Sequence, residues 1–204
     1  MNAITPTDPL IRTQHFSTQP EIFTRIYDPD CNMAGWQRTL SDDIQAYTTA
    51  LTAQPPLNLQ LKSILTVEEV PELLTKSLPE HPGRAALIAD IQLLVDMFCC
   101  LFELKCAGLR LALLDKPMCP RFHVDHIPCR LVTSWCGVAT QWHPQPLASL
   151  TGQPVTEPEQ LRSGDVALIK GDGWYNNSGH GLVHRSPVPL AGQPRLFMSL
   201  DFAD

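Results

Sequence analysis

Proline placement restricts how this chain folds more than any other feature, because its 204 residues include 19 prolines against 11 glycines. A proline removes a backbone donor, so it is tolerated mainly at the ends of helices and strands. Two long windows, residues 83–116 and 159–186, contain no proline. We therefore expect the regular structure of the core to lie mainly in these windows, and the prolines to mark turns and loops.

The first proline-free window carries the strongest helical pattern in the chain. Apolar side chains recur at intervals of three and four residues from Leu87 to Phe102, while Asp90 and Asp96 fall on other faces. This periodicity predicts a long amphipathic helix whose apolar face packs in the core. We expect the helix to end near Gly108, because glycine readily adopts the left-handed conformation that closes many helices.

Shorter elements precede this helix. Ser41, followed by two aspartates, predicts a helix to about Thr52, since serine caps free amides and acidic residues favour the first turn. The segment Thr66–Glu69 fits a capping box and predicts a second helix to about Leu78. In the first 30 residues we expect an extended arm or one strand around Glu21–Tyr27.

From residue 109 onward the pattern changes to short β-rich runs separated by turn-forming residues. The runs are Leu109–Leu114, Arg121–Asp125, Arg130–Trp135, Val166–Lys170, Gly181–Arg185 and Leu196–Phe202. Strands at this spacing predict a sandwich or barrel rather than βαβ units. The expected fold is α+β, with a helical N-terminal half (1–108) packed on a C-terminal antiparallel β-sandwich (109–204) as one compact unit. We expect the proline-rich stretch Gln141–Glu159 to form a long loop over the sandwich, a typical position for a lid.

Charge and composition argue against several classes of function. The chain has 15 Lys and Arg against 21 Asp and Glu, and it has no basic run to neutralise phosphates, so we expect no nucleic-acid partner. The first residues lack the pattern of a signal peptide, and charged residues interrupt the most apolar stretch, 85–114. We therefore expect a cytoplasmic protein that does not span a membrane. The seven cysteines include no C-x-x-C pair, and we expect them to be free and structural.

The segment Arg121–Pro128 is the most informative for chemistry. Residues two apart share a face in a strand, so His123 and Asp125 can direct an imidazole and a carboxylate at the same point. His184, in the second proline-free window, is the best third ligand. Two histidines and one carboxylate on one side of an ion, with other positions open, form the facial triad of non-haem Fe(II) oxygenases. Arg195 opens the last apolar run, where its guanidinium can bind a carboxylate through two hydrogen bonds.

This series, His123-Val-Asp125, then His184, then Gly192 and Arg195, resembles the motifs of the prolyl-hydroxylase-like Fe(II)/2-oxoglutarate dioxygenases. The resemblance implies a double-stranded β-helix, or jelly roll, for the C-terminal half. It implies that His123, Asp125 and His184 are the metal ligands and catalytic residues. It also implies that Arg195 binds the distal carboxylate of 2-oxoglutarate. The implied activity is Fe(II)- and 2-oxoglutarate-dependent hydroxylation or oxidation of a small molecule or protein side chain, whose identity the sequence does not give.

A second similarity covers most of the chain. The segments Arg121–Arg130, Gly164–Gly173 and His184–Pro187 resemble a bacterial family known as domain of unknown function 1826. The family name implies no activity, so the functional hypotheses depend on the metal motif.

Two other functions fit the same motif. Zn(II) held by the same three side chains would lower the pKa of a bound water to about 7 and support hydrolysis. Alternatively, a jelly-roll module would only bind or sense a metal, with nearby cysteines as additional ligands.

Alternatives also remain for individual residues. Arg195 either binds the co-substrate or forms a salt bridge with an acid such as Asp201. His126 is a neighbour of the ligands or an alternative ligand. His143 and His180 fall in expected loops, and we expect them at the surface.

Overall fold

A computed structural model describes residues 12–53, 59–144 and 157–203, which form two sheets and four helices. The strands are β1 (Thr13–Ser17), β2 (Cys31–Trp36), β3 (Gln60–Leu65), β4 (Ala107–Leu114), β5 (Cys129–Cys136), β6 (Gln141–His143), β7 (Glu159–Gln160), β8 (Val166–Lys170), β9 (Val183–Arg185) and β10 (Arg195–Phe202). The helices are a 3₁₀ helix (Pro20–Tyr27), α1 (Asp42–Ala53), α2 (Val70–Ser77) and α3 (Arg84–Phe102).

The larger sheet has seven strands in the order β1-β2-β8-β5-β10-β4-β3, and the smaller has three in the order β7-β6-β9. All neighbouring strands are antiparallel except β1 and β2. The expected α+β class is confirmed, but the expected helical N-terminal half is wrong. Strands β1, β2 and β3 alternate with the helices and complete the larger sheet at both edges. The backbone groups of β2 and β3 hydrogen-bond to β8 and β4 of the C-terminal half, and β1 pairs with β2. The predicted division of the chain into an N-terminal part (1–108) and a C-terminal part (109–204) stays a prediction.

The two faces of the larger sheet pack against different layers. Alternate residues on one face, such as Leu111, Leu131 and Met198, join the buried side chains of the helices in one apolar core. Residues on the other face, such as Val132 and Phe197, form a second core with side chains near the smaller sheet. The space between the two sheets is therefore lined by the second face, where polar side chains of the central strands also lie.

Helix α3 confirms the long helix predicted from the apolar periodicity, although it ends earlier than expected. Phe102 is its last residue, Glu103 adopts a left-handed conformation with φ of 55°, and the Leu104 N–H donates to the Cys99 carbonyl. This closure satisfies the last carbonyls without glycine. Gly108 instead lies in β4, so the predicted stop is wrong.

Asp90 attaches α3 to the sheet layer. Its carboxylate accepts hydrogen bonds from both terminal nitrogens of Arg38 and from Nε1 of Trp135, the last at 2.6 Å. By length and composition α3 is also apolar enough to cross a membrane, a property that core helices of soluble proteins share. Seven of its side chains are buried, which fits a core helix.

The segment Glu21–Tyr27 is a 3₁₀ helix, so the expected arm or strand is wrong there. Pro20 occupies the first turn, and the buried side chains Phe23 and Ile26 are three residues apart. That spacing places them on one face of a helix with three residues per turn.

The later strand predictions are confirmed within one residue at each end for β5, β8 and β10, and within two residues for β4 and β9. The predicted strand Arg121–Asp125 is wrong. In this segment only His123 forms a β-bridge, and it is an isolated one. The Asp125 carbonyl accepts a hydrogen bond from the Asp172 N–H, which lies in a loop and not in a strand. The predicted lid Gln141–Glu159 begins with β6 and ends at β7, and its residues 145–156 lie outside the described part of the chain.

Candidate metal centre

The backbone joins the segments that carry the two histidines. The His123 N–H donates to the His184 carbonyl, and the His184 N–H donates to the His123 carbonyl, each at 3.0 Å. This antiparallel bridge sets the imidazole rings side by side, with their centroids 4.5 Å apart. The position of His184 comes from β9, and His123 pairs with it although its own segment is irregular.

Close backbone packing positions Asp125. The segment that follows β8 runs against residues 125–127, and the Asp172 N–H donates to the Asp125 carbonyl at 2.8 Å. A Cβ at Gly171 would lie 2.1 Å from the Ile127 carbonyl oxygen and 2.6 Å from that of Asp125. Only glycine therefore permits this approach, which holds the carboxylate beside the two imidazoles.

The three predicted ligands come together. One ligand atom from each of His123, Asp125 and His184 lies within 4.8 Å of the other two. Nε2 of His184 is 3.4 Å from Oδ2 of Asp125, and Nε2 of His123 is 3.7 Å from Oδ1 of the same carboxylate. The His184 side chain is only 8% exposed, whereas that of His123 is 33% exposed. The cluster therefore has one enclosed side and one open side.

Hydrogen bonds to carbonyls orient both imidazoles for metal binding. Nδ1 of His123 donates to the Arg121 carbonyl and Nδ1 of His184 donates to the Leu182 carbonyl, each at 3.0 Å. A carbonyl oxygen only accepts, so the proton of each neutral ring is on Nδ1. The lone pair on each Nε2 is then directed at the cluster, which is the tautomer that a metal ligand requires.

Arg130 supports the carboxylate of the cluster. Its Nη1 donates to Oδ2 of Asp125 at 2.8 Å, and its other nitrogens hold Asp201 at 2.6 and 2.9 Å. Burial alone would raise the pKa of Asp125, but hydrogen bonding and charge from His184 in its protonated form, with the charges of Arg130 and of protonated His123, outweigh it and lower that pKa in the metal-free protein. Asp125 is therefore an anion, the form that binds a cation.

Arg195 lies in the same pocket as the histidines and is 1% exposed. Its guanidinium donates to three hydroxyls, those of Ser134 at 2.9 Å, Ser186 at 3.0 Å and Thr140 at 2.8 Å. Among the described residues no acid pairs with it, and burial lowers its pKa to about 10. The alternative of a salt bridge to Asp201 is wrong, because Arg130 holds that carboxylate.

The remaining residues singled out in the sequence lie elsewhere. His126 is exposed, so its side chain does not join the cluster. His143 is buried in β6, edge-on to Phe122, which contradicts the expected surface position. His180 is half-buried. All seven cysteines are free, as expected, and Cys119 lines the pocket.

Sequence reasoning missed Arg130 and the three hydroxyls that surround Arg195. The alternation in β5 was a usable signal, because Arg130, Val132 and Ser134 share the face that lines the pocket. The pairing of Arg130 with Asp201 joins residues 71 positions apart, so no local pattern indicated it.

The donor set fits a divalent transition metal. Two imidazole nitrogens and a carboxylate are the ligands of the facial triad for Fe(II), and they also suit Zn(II). The pocket adjoins the cluster, because His123 and His184 are among its lining residues. A metal held here would keep coordination positions open to small molecules.

Three solved structures are similar to this chain over most of its length. Dioxygenase for auxin oxidation 1 from Arabidopsis thaliana, bound to 2-oxoglutarate, is 10% identical, with a TM-score of 0.51 over 85% of this chain and 84% of that one. T7H from Neurospora crassa, bound to alpha-KG and 5-formyluracil, is 11% identical, with a TM-score of 0.47 over 84% of this chain and 74% of that one. A Pseudomonas putida prolyl-4-hydroxylase is 10% identical, with a TM-score of 0.45 over 90% of this chain and 98% of that one.

The first of these likenesses supports a fold like that of the 2-oxoglutarate oxygenases, which agrees with the two facing sheets and the expected double-stranded β-helix. No curated protein sequence matches the chain. Residues 17–201 match the family described as protein of unknown function (DUF1826), and the chain belongs to that family.

Proposed function

We propose that this protein is an Fe(II)- and 2-oxoglutarate-dependent oxygenase whose metal ligands are His123, Asp125 and His184. The reaction class consumes O₂, the 2-oxo acid and a substrate C–H bond, and it yields succinate, CO₂ and the hydroxylated substrate. Fe(II) supplies the redox chemistry of this reaction. The protein supplies the ligands, the orientation of the co-substrate and the exclusion of water.

The guanidinium of Arg195 is the observation that carries this proposal. A buried cation without an acidic partner is costly unless a ligand neutralises it. Arg195 shares its pocket with His123 and His184, so one molecule bound in this pocket can contact both the metal cluster and the guanidinium. A dicarboxylic 2-oxo acid has one end suited to the metal and a second carboxylate suited to Arg195. A zinc hydrolase with the same three ligands would not need a buried arginine beside the metal.

The hydroxyls around Arg195 prepare it for this role. Ser134, Thr140 and Ser186 each accept a hydrogen bond from it, so the planar group is held in one orientation before a ligand arrives. The centroid of the Phe197 ring lies 4.4 Å from the guanidinium carbon, a distance at which the ring attracts the cation and helps to hold it in place.

Anaerobic titration of the metal-free protein with Fe(II) and then 2-oxoglutarate tests the proposal. We expect stoichiometric iron binding and a visible charge-transfer band that appears only when both are present. The His184→Ala variant should lose iron and the band. The matched control is His126→Ala, because His126 is exposed and next to Asp125 in sequence but lies outside the cluster.

Other outcomes separate the alternatives. Iron binding without the band would contradict the use of 2-oxoglutarate. Tight Zn(II) binding with hydrolysis of a model ester, and no band with Fe(II), would favour the zinc hydrolase. If the His184→Ala variant keeps its bound metal, the three residues are not the metal site, and each of these functions loses its basis.

A further inference from the structure

Besides Arg195, Arg130 and Arg185, the pocket of the metal centre has a further arginine in its lining. Arg110, on β4, lines the same pocket as His123 and His184. It also lines an adjoining surface depression together with Lys62, Arg130 and Asp201. Arg110 therefore lies where the pocket of the metal centre opens onto the protein surface.

Arg110 differs from the other arginines of the pocket in having no polar partner in the part of the chain that the structure describes. Among the described residues Arg130 is held by two aspartates and Arg185 by the Gln141 side chain, while Arg195 contacts hydroxyls. Within the same part of the chain, the half-buried side chain of Arg110 makes no hydrogen bond and no ion pair. Its five N–H donors thus stay available to a ligand.

The strand register increases the local positive charge. Lys62 on β3 lies directly opposite Arg110, and Ser199 on β10 lies opposite it on the other side. Directly paired residues of neighbouring strands share a face, and like charges there repel. This arrangement lowers the stability of the free protein, and an anion bound between the two cations would relieve the repulsion.

We propose that Arg110, assisted by Lys62, binds an oxyanion of the substrate, either a carboxylate or a phosphate group; this inference rests on the function proposed above. The charges around the pocket support it. Arg195 faces the distal carboxylate of the co-substrate, and Asp201 balances Arg130. Arg110 then has no counter-charge from residues 12–53, 59–144 and 157–203, so a substrate with an anionic group would complete the site.

Position along the sheet separates Arg110 from the co-substrate. Arg110 pairs with Ser199 on β10, whereas Arg195 begins that strand and pairs with Leu114. Four residues of strand correspond to about 13 Å. Arg110 is accordingly assigned to the substrate and Arg195 to 2-oxoglutarate.

The test uses the protein loaded with stoichiometric Zn(II) and 2-oxoglutarate, so that the metal ligands and Arg195 are occupied. Loading is first verified by metal analysis and calorimetry. Acetate and methyl phosphate are then titrated separately, and the backbone amide resonances of β3 and β4 are followed by NMR. The variants are Arg110→Gln, Arg110→Lys and the control Lys76→Gln, which removes one exposed positive charge on α2.

We expect saturable binding of at least one probe, weakened about tenfold or more by Arg110→Gln, the loss expected for a charge-assisted hydrogen bond. Arg110→Lys should restore part of the affinity, and Lys76→Gln should leave it unchanged. The preferred probe distinguishes a carboxylate from a phosphate substrate. The same affinity in Arg110→Gln as in the native protein overturns the inference, and so does the absence of saturable binding.

Two further outcomes keep this inference distinct from the proposed function. If Arg110→Gln weakens the binding of 2-oxoglutarate itself, Arg110 contacts the co-substrate. The inference is then wrong, while the oxygenase proposal stands. If the native protein fails to bind metal or 2-oxoglutarate, the oxygenase proposal fails. The probe titration of the metal-free protein then decides whether an oxyanion site exists at Arg110, and the assignment of that anion to an oxygenase substrate is withdrawn.

Discussion

The guanidinium of Arg130 contacts the carboxylate of Asp125 at 2.8 Å, and its remaining nitrogens are fixed by Asp201. One oxygen of the Asp125 carboxylate therefore accepts from Arg130, and this contact restricts its rotation. Groups that hydrogen-bond to metal ligands in this way set the ligand geometry and strongly influence metal affinity.

Replacing Arg130 should weaken metal binding without removing a ligand. We expect Arg130→Met to lower Fe(II) or Mn(II) affinity by about 10- to 100-fold, because the carboxylate loses its fixed orientation. Arg185→Met is the control, since Arg185 lines the same pocket but donates to Gln141. Competition with a chelator of known affinity measures the effect. Equal affinity in the two variants would show that Arg130 does not position Asp125.

Part of this site was predictable because its information is local. The spacing of His123 and Asp125 and the apolar run after Arg195 are short-range patterns. The structure brings His123 and Asp125 into one cluster, and Arg195 lines the same pocket as His123. The periodicity of α3 was equally clear, since an amphipathic helix of that length has few alternative packings.

Two of the failures originate in long-range pairing and one in a local backbone conformation. Strands β1 and β3 are short and mostly half-exposed, so only their hydrogen bonds to β2 and β4 define them. The end of α3 uses a non-glycine residue, Glu103, in the left-handed conformation, which composition does not reveal. The role of Arg130 likewise depends on Asp201, which is distant in sequence.

Gly171 should be needed for both stability and metal binding. Its absent side chain allows the backbone after β8 to touch the carbonyls of Asp125 and Ile127, and backbone atoms cannot move aside as a flexible side chain does. We expect Gly171→Ala to lower the free energy of unfolding by about 1–3 kcal/mol, the usual effect of overpacking, and to weaken metal binding.

Gly179 provides the matched control for this glycine. It has a φ of 77° and no atom within 4 Å of an added Cβ, so Gly179→Ala carries only the cost of a left-handed residue, about 1–2 kcal/mol. Chemical denaturation and metal titration of both variants separate the two effects. Loss of metal affinity in Gly179→Ala, or normal affinity in Gly171→Ala, would contradict the positioning role.

Arg195 should lower the stability of the ligand-free protein. Burial lowers the pKa of its guanidinium to about 10, which means that the folded state disfavours the cation, and this cost is present in full at neutral pH. It decreases only as pH rises through that pKa. Arg195→Met should therefore leave the unfolding free energy unchanged or raise it by about 1–4 kcal/mol, as for other buried ions replaced by apolar residues.

The same variant should lose its response to the co-substrate. In the native protein with Zn(II), 2-oxoglutarate should raise the melting temperature, because a ligand that binds only the folded state stabilises it. Arg195→Met should show no such rise, while Zn(II) alone still stabilises it. A marked loss of stability in Arg195→Met without ligand would instead indicate a purely structural role for the guanidinium.

The buried cysteines should be chemically inert in the folded protein. Burial raises the pKa of Cys31 to about 11, against the opposing charge of Lys170, and it also raises the pKa of the fully buried Cys129. Alkylation requires the thiolate, so at about pH 8 both thiols stay protonated and unreactive. Cys100 and Cys119 are exposed and should react with iodoacetamide first. Peptide mapping by mass spectrometry over time measures the order in which the cysteines are alkylated. A sample unfolded in guanidinium, in which all seven cysteines should react, is the reference. Modification of Cys31 or Cys129 at the rate of Cys100 would show that the core around β2 and β5 opens in the native state.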